Sequence, residues 1–234
     1  MRRRKWIYMF KLYYNCILNR RRTIIILFSI LVIFTLSISA SNFFVDKHEQ
    51  IMNALDYQMN YNQIYTIIEL ILVITALLLL MNHDEKYQLP YIALIGRNRE
   101  YLIKSLIYFI IISVITFIVF SIYLTFPILT TNYYVLDVNV LYKMLSTYLS
   151  ILILSMFSFV VVNRRRKPLI FLLLVLYLFI TFISEDNNSL IIFYLMPFSK
   201  EIALNMEYGM MYQALYVSMI YLFSIIHNNK RNLG

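Results

Sequence analysis

Long apolar runs constrain this chain more than any other feature of its sequence. Six stretches rich in Ile, Leu, Val, Phe and Tyr approach or exceed the ~20 residues that a helix needs to cross the hydrocarbon core of a bilayer. None shows the two-residue alternation of an outer-membrane strand, and a helix satisfies its own backbone polar groups. The sequence therefore predicts an all-α integral membrane protein with six transmembrane helices, at about residues 23–45, 64–82, 102–126, 139–162, 168–184 and 208–226.

The composition agrees with this interpretation and argues against other classes of protein. Hydrophobic residues make up 61% of the 234 residues and charged residues 14%, whereas soluble domains are roughly half apolar and about one quarter charged. The single cysteine, Cys16, excludes an internal disulfide framework. The net charge of +9 comes from basic residues beside the apolar runs, which indicates a topology signal and not nucleic-acid binding. We expect one transmembrane domain over residues 1–234.

The basic residues also predict how the six spans are oriented. With an even number of spans both termini share one side, and that side would hold 18 of the 21 Lys and Arg residues, all but Lys47, Lys143 and Lys200. The positive-inside rule then predicts a multi-pass protein of the cytoplasmic (inner) membrane with both termini in the cytoplasm. A signal peptide cleaved near Ser39-Ala40-Ser41 is the alternative, although its charged and apolar regions would both be unusually long.

The N-terminal segment, residues 1–22, has an amphipathic pattern of its own. Large apolar and aromatic residues recur every three or four positions, and basic clusters flank them. Such a helix lies in the plane of the membrane, with its apolar face in the acyl boundary and its cations near anionic lipid. An ordinary basic flank before the first span is the alternative. The in-plane interpretation depends on Trp6, Phe10, Tyr13, Tyr14 and Ile17.

The segment MNHDEKYQLPYIALIGRNREYLIKSL, residues 81–106, places a small apolar block among charges. Pro90 suits the first turn of a helix, and Gly96 suits a left-handed stop. A helix this short is unstable alone in water, so its apolar side chains need a covering surface: lipid headgroups, the in-plane helix or a cytoplasmic partner. Asn98 is expected to cap the next helix, with Glu100 in its first turn.

Motifs that carry chemistry are nearly missing from the sequence. The three histidines make no zinc-binding spacing, and no glycine-rich loop ends in Lys-Ser or Lys-Thr to hold phosphate. Phe223 and His227 have the spacing of one motif of intramembrane prenyl-type proteases, but the paired glutamates that those enzymes need are lacking. We therefore predict that the chain is not an enzyme and holds neither a metal nor a cofactor.

Glu69 is the one carboxylate within a predicted span, which makes it a candidate residue of a transport pathway. It lies near the predicted external end of that span. A side chain that reaches water is therefore the simpler interpretation.

The run Leu190–Met196, after the fifth span, ends at Pro197 and is too short to cross a bilayer. We expect it to enter the membrane from outside as a re-entrant or interfacial element. A plain external loop is the alternative.

Together these features resemble the permease subunits of type-2 ABC exporters. The shared elements are the basic in-plane helix, the six spans, a charged loop between the second and third spans, and short external elements before the last span. In that family the loop has an acidic residue, a short helix, a small or proline-containing turn, an arginine and then a lysine. The corresponding residues are Asp84-Glu85, Gln88–Ile95, Gly96, Arg97 or Arg99, and Lys104.

The resemblance implies a short cytoplasmic coupling helix between spans 2 and 3, seated on a separate ABC ATPase chain that binds ATP and Mg. It also implies pairing with a second permease, either the same chain or a similar one. The expected ATPase-coupling residues are Asp84, Glu85, Leu89, Pro90, Tyr91, Ile92, Leu94, Ile95, Gly96, Arg97 and Arg99.

The low polarity of the spans favours an amphipathic cargo over an ion or a sugar. A membrane-active peptide or another hydrophobic compound, carried for export or self-immunity, is the expected cargo. A membrane scaffold or sensor subunit that transports nothing is the alternative function.

Overall fold

The computed structural model describes residues 19–46, 54–81, 97–132, 136–163, 169–186, 190–195, 197–198 and 200–230, together with Ile7, Lys11, Tyr14 and Asn15. These residues are almost entirely helical, and no strand occurs among them. The helices are α1 (Arg20–Asp46), α2 (Ala54–Met81), α3 (Arg97–Thr130), α4 (Val138–Asn163), α5 (Leu169–Asp186), α6 (Leu190–Leu195), α7 (Lys200–Asn205) and α8 (Gly209–Lys230).

Five of the described helices are long and apolar enough to cross a membrane. The chain is therefore an all-α, multi-pass membrane protein, as the sequence predicts. The remaining predicted span coincides with α5, in which the shorter apolar stretch Phe171–Ile180 lies, and a sixth crossing stays a prediction. The five candidate spans are Arg21–Asn42, Asn60–Leu79, Arg99–Thr130, Val138–Val160 and Gly209–Ile226.

A side-chain cap marks the start of α1. The backbone N–H of Arg22 donates to Oδ1 of Asn19 at 3.1 Å, and the N–H of Thr23 donates to the Asn19 carbonyl at 3.0 Å. Asparagine is a favoured N-cap because its side chain accepts from an N–H that has no partner within the helix. The helix therefore begins at Arg20, shortly before the predicted start of the span.

The predicted in-plane helix lies mostly outside the described residues. Tyr14 is helical and exposed. Trp6, Phe10, Tyr13 and Ile17 are not among the described residues, so the in-plane helix stays a prediction.

α2 begins at Ala54, well before the predicted start of the second span at about residue 64. The extra residues are ALDYQMNYNQ, of which residues 54–59 also precede the candidate span Asn60–Leu79. Two of their tyrosines, Tyr57 and Tyr61, are fully buried against neighbouring helices, and this packing explains the longer helix.

α3 begins at Arg97, so the prediction that Asn98 caps it is wrong, because Asn98 already lies in its first turn. Glu100 also lies in that first turn, as predicted, where the helix dipole favours a negative charge. The other predicted span boundaries fall within a few residues of the observed ends.

α4 is the central helix of the bundle. It packs against α2, α3, α5, α7 and α8, while α1 packs against α2 and α3. Every side chain from Ser150 to Met156 is buried. Ser146, Ser150, Ser155 and Ser158 are each at most 1% exposed, and such small residues let neighbouring helices approach closely.

Candidate functional site

One face of α2 carries three tyrosines and a glutamate at intervals of four residues: Tyr57, Tyr61, Tyr65 and Glu69. Four residues advance a helix by about 6 Å and slightly more than one turn, so these side chains stand one above another. All four are buried, with exposed fractions of 0, 0, 5 and 6%. We call this set the tyrosine column.

Hydroxyl groups from three helices meet at the end of the column near Thr130. Oγ of Ser41 on α1 lies 2.9 Å from the Tyr57 hydroxyl and 2.7 Å from Oγ1 of Thr130 on α3. Hydrogen bonds of this kind hold membrane helices together. The burial of apolar side chains contributes little to helix association there, because lipid is as apolar as leucine. This cluster fixes α1, α2 and α3 to one another.

Tyr61 satisfies a carbonyl group that α3 leaves without its usual partner. In a regular helix the Tyr123 carbonyl accepts from the N–H of residue 127, but Pro127 has none. The Tyr61 hydroxyl donates to that carbonyl at 3.2 Å, and the Tyr61 and Tyr123 rings stack with centroids 4.8 Å apart. The Tyr123 hydroxyl in turn donates to Oδ1 of Asn62 at 3.0 Å.

Glu69 lies at the end of the tyrosine column that is farther from Thr130. In the candidate span Asn60–Leu79 it is nine residues from one end and ten from the other, about 14–15 Å from each at the helical rise. The Tyr177 hydroxyl of α5 donates to Oε1 of Glu69, and the two side chains are 2% and 6% exposed. The interpretation that Glu69 reaches water is therefore wrong.

The candidate span Asn60–Leu79 begins about four residues before the predicted start at about residue 64, which places Glu69 near its middle. Burying a carboxyl group is costly unless it is hydrogen-bonded, so the contact with Tyr177 offsets part of that cost. A role for Glu69 in a pathway stays a prediction.

The chain between α6 and α7 has irregular backbone at Pro197 and Phe198, and side chains of α4 and α8 hydrogen-bond to it. Carbonyl groups at a helix end have no partner within the helix. Two carbonyls at the end of α6 accept from α8, Tyr194 from the Tyr212 hydroxyl at 2.6 Å and Leu195 from the Tyr216 hydroxyl at 2.6 Å. Two carbonyls of the irregular stretch also accept, Pro197 from Nε2 of Gln213 at 2.9 Å and Phe198 from Oγ of Ser150 at 3.2 Å.

Gln213 is the centre of this arrangement. It is 0% exposed, and its Oε1 accepts from Oγ of Ser146 on α4 at 3.0 Å while its amide donates to the Pro197 carbonyl. Irregular backbone is tolerated at membrane depth only where protein covers it. We call α6, Pro197–Phe198 and α7 the docked segment. α6 is helical, and both entry into the membrane and the alternative of a plain external segment stay predictions.

Charged side chains are buried at the opposite end of the bundle, near Arg97. Arg22, Glu100 and Lys104 are 1, 5 and 5% exposed. Nζ of Lys104 lies 5.7 Å from the centroid of the Phe159 ring on α4, a cation–π distance. Lys104, the lysine that the family resemblance singles out, is therefore inside the bundle, whereas Arg99 is exposed.

Most of the predicted coupling residues lie outside the described part of the chain. Arg97 and Arg99 belong to the first turn of α3. The coupling helix therefore stays a prediction. The residues outside the described part are Asp84, Glu85, Leu89, Pro90, Tyr91, Ile92, Leu94, Ile95 and Gly96.

Sequence reasoning did not single out Tyr177 or Gln213. Gln213 is an amide within an apolar run, which is a recognisable signal because polar groups in lipid need partners. The four-residue spacing from Tyr57 to Glu69 was a second signal. Tyr177 lies in the middle of the predicted span 168–184, away from the span ends where most tyrosines lie, which was a third signal.

Among the described residues, no group of three or more His, Cys, Asp and Glu side chains is arranged to hold a metal ion. Comparison of the chain with protein-family models, with curated proteins and with solved structures finds no match.

Proposed function

We propose that this chain is the permease subunit of an ABC exporter of the type-2 kind. The observation that carries the proposal is the docked segment, two short helices fixed to α4 and α8 directly before the last long helix. The resemblance implies short elements at this position in the chain.

In the proposed architecture α5 is the sixth span. Its 18 residues measure about 27 Å, close to the ~30 Å of a hydrocarbon core. Arg21, Arg22, Arg99 and Lys104 lie at the end of the bundle near Arg97, and the positive-inside rule assigns that end to the cytoplasm. Both termini are then cytoplasmic.

Energy enters through a separate ATPase chain, which binds ATP and Mg. Nucleotide-dependent closure of two ATPases moves the surfaces on which the coupling helices of two paired permeases sit. A ligand shifts a conformational equilibrium only through contacts that differ between the two states. The Glu69–Tyr177 hydrogen bond, which joins α2 to α5, is a contact that such a movement breaks or remakes.

The proposed cargo is an amphipathic, membrane-active peptide or a similar hydrophobic compound. The transporter either exports it or protects its own cell from it (self-immunity). The support is the apolar character of the spans, in which Glu69 is the one buried carboxylate at mid-depth among the described residues. A charged or strongly hydrated cargo needs more polar partners than this.

The test is site-directed crosslinking of the 82–96 segment to a co-expressed ABC ATPase. With Cys16 replaced by serine, a cysteine at position 92 or 94 is expected to crosslink to the ATPase, and a cysteine at Ser218, on the exposed face of α8, is not. Ile92→Asp and Leu94→Asp should abolish transport, because a charge enters an apolar contact. Asn82→Asp, with the same added charge in the same segment, should not.

Purification without any bound ATPase, together with unchanged transport by both aspartate variants, would overturn the proposal. That result would favour a scaffold or sensor subunit that transports nothing.

A further inference from the structure

A groove between α3 and α4 opens on the outside of the bundle. It encloses about 610 Å³, and apart from four hydroxyl-bearing residues its lining is aliphatic or aromatic. Val114, Phe117 and Leu145 at its rim are exposed. Since α3 and α4 are both candidate membrane spans, we expect the mouth of the groove to face hydrocarbon and not water.

The depth of the groove matches one leaflet. Its lining on α3 runs from Ser113 to Leu124, about 16 Å at the helical rise, and half of a hydrocarbon core is about 15 Å. Ser113 lies beside the midpoint of the span Arg99–Thr130. On α4 the lining runs from Leu141 to Tyr148, beside the midpoint of Val138–Val160. Both helices thus place the groove in the leaflet at the Thr130 end.

A pair of hydroxyl groups closes the groove at mid-depth. Oγ of Ser113 lies 2.7 Å from the Tyr148 hydroxyl, so each group finds a partner in the other. A hydroxyl satisfied in this way is tolerated beside an apolar ligand. The pair also joins α3 to α4, which blocks a chain from continuing into the other leaflet.

We propose that this groove binds one acyl chain of a membrane phospholipid from the leaflet at the Thr130 end. Its length is that of one leaflet, it opens to lipid, and its lining carries no charged side chain. The volume lies within the ~300–1,000 Å³ of typical small-molecule pockets, which are mostly apolar with a few polar groups. The site goes beyond the proposed function and does not depend on an ATPase partner.

Photolabelling tests the proposal. The protein, reconstituted in nanodiscs, is irradiated with a phosphatidylcholine that carries a diazirine on one acyl chain, and labelled residues are located by peptide mass spectrometry. We expect several-fold more label on groove residues such as Phe117 and Leu145 than on Met219 and Leu222, which are exposed on α8. Equal labelling of the two surfaces would show ordinary boundary lipid and overturn the proposal.

Two serine variants provide the matched comparison. Ser121→Phe fills the groove and should reduce groove labelling several-fold, whereas Ser218→Phe adds the same ring to the exposed face of α8 and should not. Unchanged labelling in Ser121→Phe would overturn the proposal. If that variant does not fold, the comparison of groove and α8 labelling in the unaltered protein decides.

A fatty acid that carries a diazirine forms the second arm of the experiment. Groove labelling by this fatty acid but not by the phospholipid would contradict the proposed ligand.

Discussion

The Tyr61 hydroxyl donates to the Tyr123 carbonyl, the helical acceptor that Pro127 leaves without an N–H partner. A side chain of α2 thus completes the backbone hydrogen bonding of α3. In a membrane this matters more than in water, because lipid offers an unpaired carbonyl no alternative donor.

Replacing Tyr61 tests this relationship. Tyr61→Phe should lower the free energy of unfolding by about 1–3 kcal/mol, because a buried carbonyl loses its donor. In a Pro127→Ala background the same replacement should cost much less, since the N–H of residue 127 can then reach the carbonyl. Denaturant titration in detergent micelles measures both costs. Equal costs in the two backgrounds would contradict the assignment.

The contact between Glu69 and Tyr177 should appear as a coupling energy. In a double-mutant cycle of Glu69→Leu and Tyr177→Phe, we expect a coupling of about 0.5–3 kcal/mol, the range for two side chains in direct contact. Unfolding titrations of the two single variants and the double variant measure it. Tyr142→Phe, at an exposed position of α4, is the control and should change little. Strictly additive effects would show that the two side chains do not interact.

Gln213 should be the most sensitive polar position of α8. Gln213→Leu leaves the Pro197 carbonyl and the Ser146 hydroxyl without this partner, at a cost of about 1–3 kcal/mol for each group left unsatisfied. Gln63→Leu, the same change at an exposed position of α2, is the matched control. Thermal unfolding followed by circular dichroism compares them. A midpoint in Gln213→Leu as high as in the control would refute the role given to Gln213.

Gly209 should not accept even one added methyl group. A Cβ built there would lie 2.3 Å from the carbonyl oxygen and 2.7 Å from Cα of Ala203. Gly209→Ala should therefore destabilise the protein by about 1–3 kcal/mol through overpacking. Because the contact is with backbone, adding Ala203→Gly should not restore stability, and restoration in an unfolding titration would contradict the geometry. Asn205→Ala, at an exposed site, serves as the control.

Hydropathy was sufficient to predict the long helices, because every run of apolar residues in lipid must satisfy its backbone internally. The predicted start of the second span, at about residue 64, was too late, because it left out Tyr57 and Tyr61, which are buried by packing. Hydropathy measures the average polarity of a window. Whether a tyrosine faces a partner helix depends on a neighbour far along the chain, here Tyr123.

The same limit explains the partial success at the candidate site. Glu69 was recognisable as the one carboxylate in an apolar run, but its burial depended on packing against another helix. Its partner Tyr177 lies 108 residues away in sequence, and no local pattern relates the two. The partners of the docked segment are similar, because Ser150 and Gln213 reach it from different helices.

The docked segment has a consequence for the order in which the protein assembles. Synthesis proceeds from the N-terminus, so Tyr194, Leu195 and Pro197 leave the ribosome before Tyr212, Gln213 and Tyr216, whose side chains their carbonyls need. Until α8 has been inserted, these carbonyls must bond to water or to lipid headgroups. The docked segment is therefore the last part of the bundle to form its final hydrogen bonds. A nascent chain released before Gly209 is synthesised keeps the docked segment at the aqueous boundary.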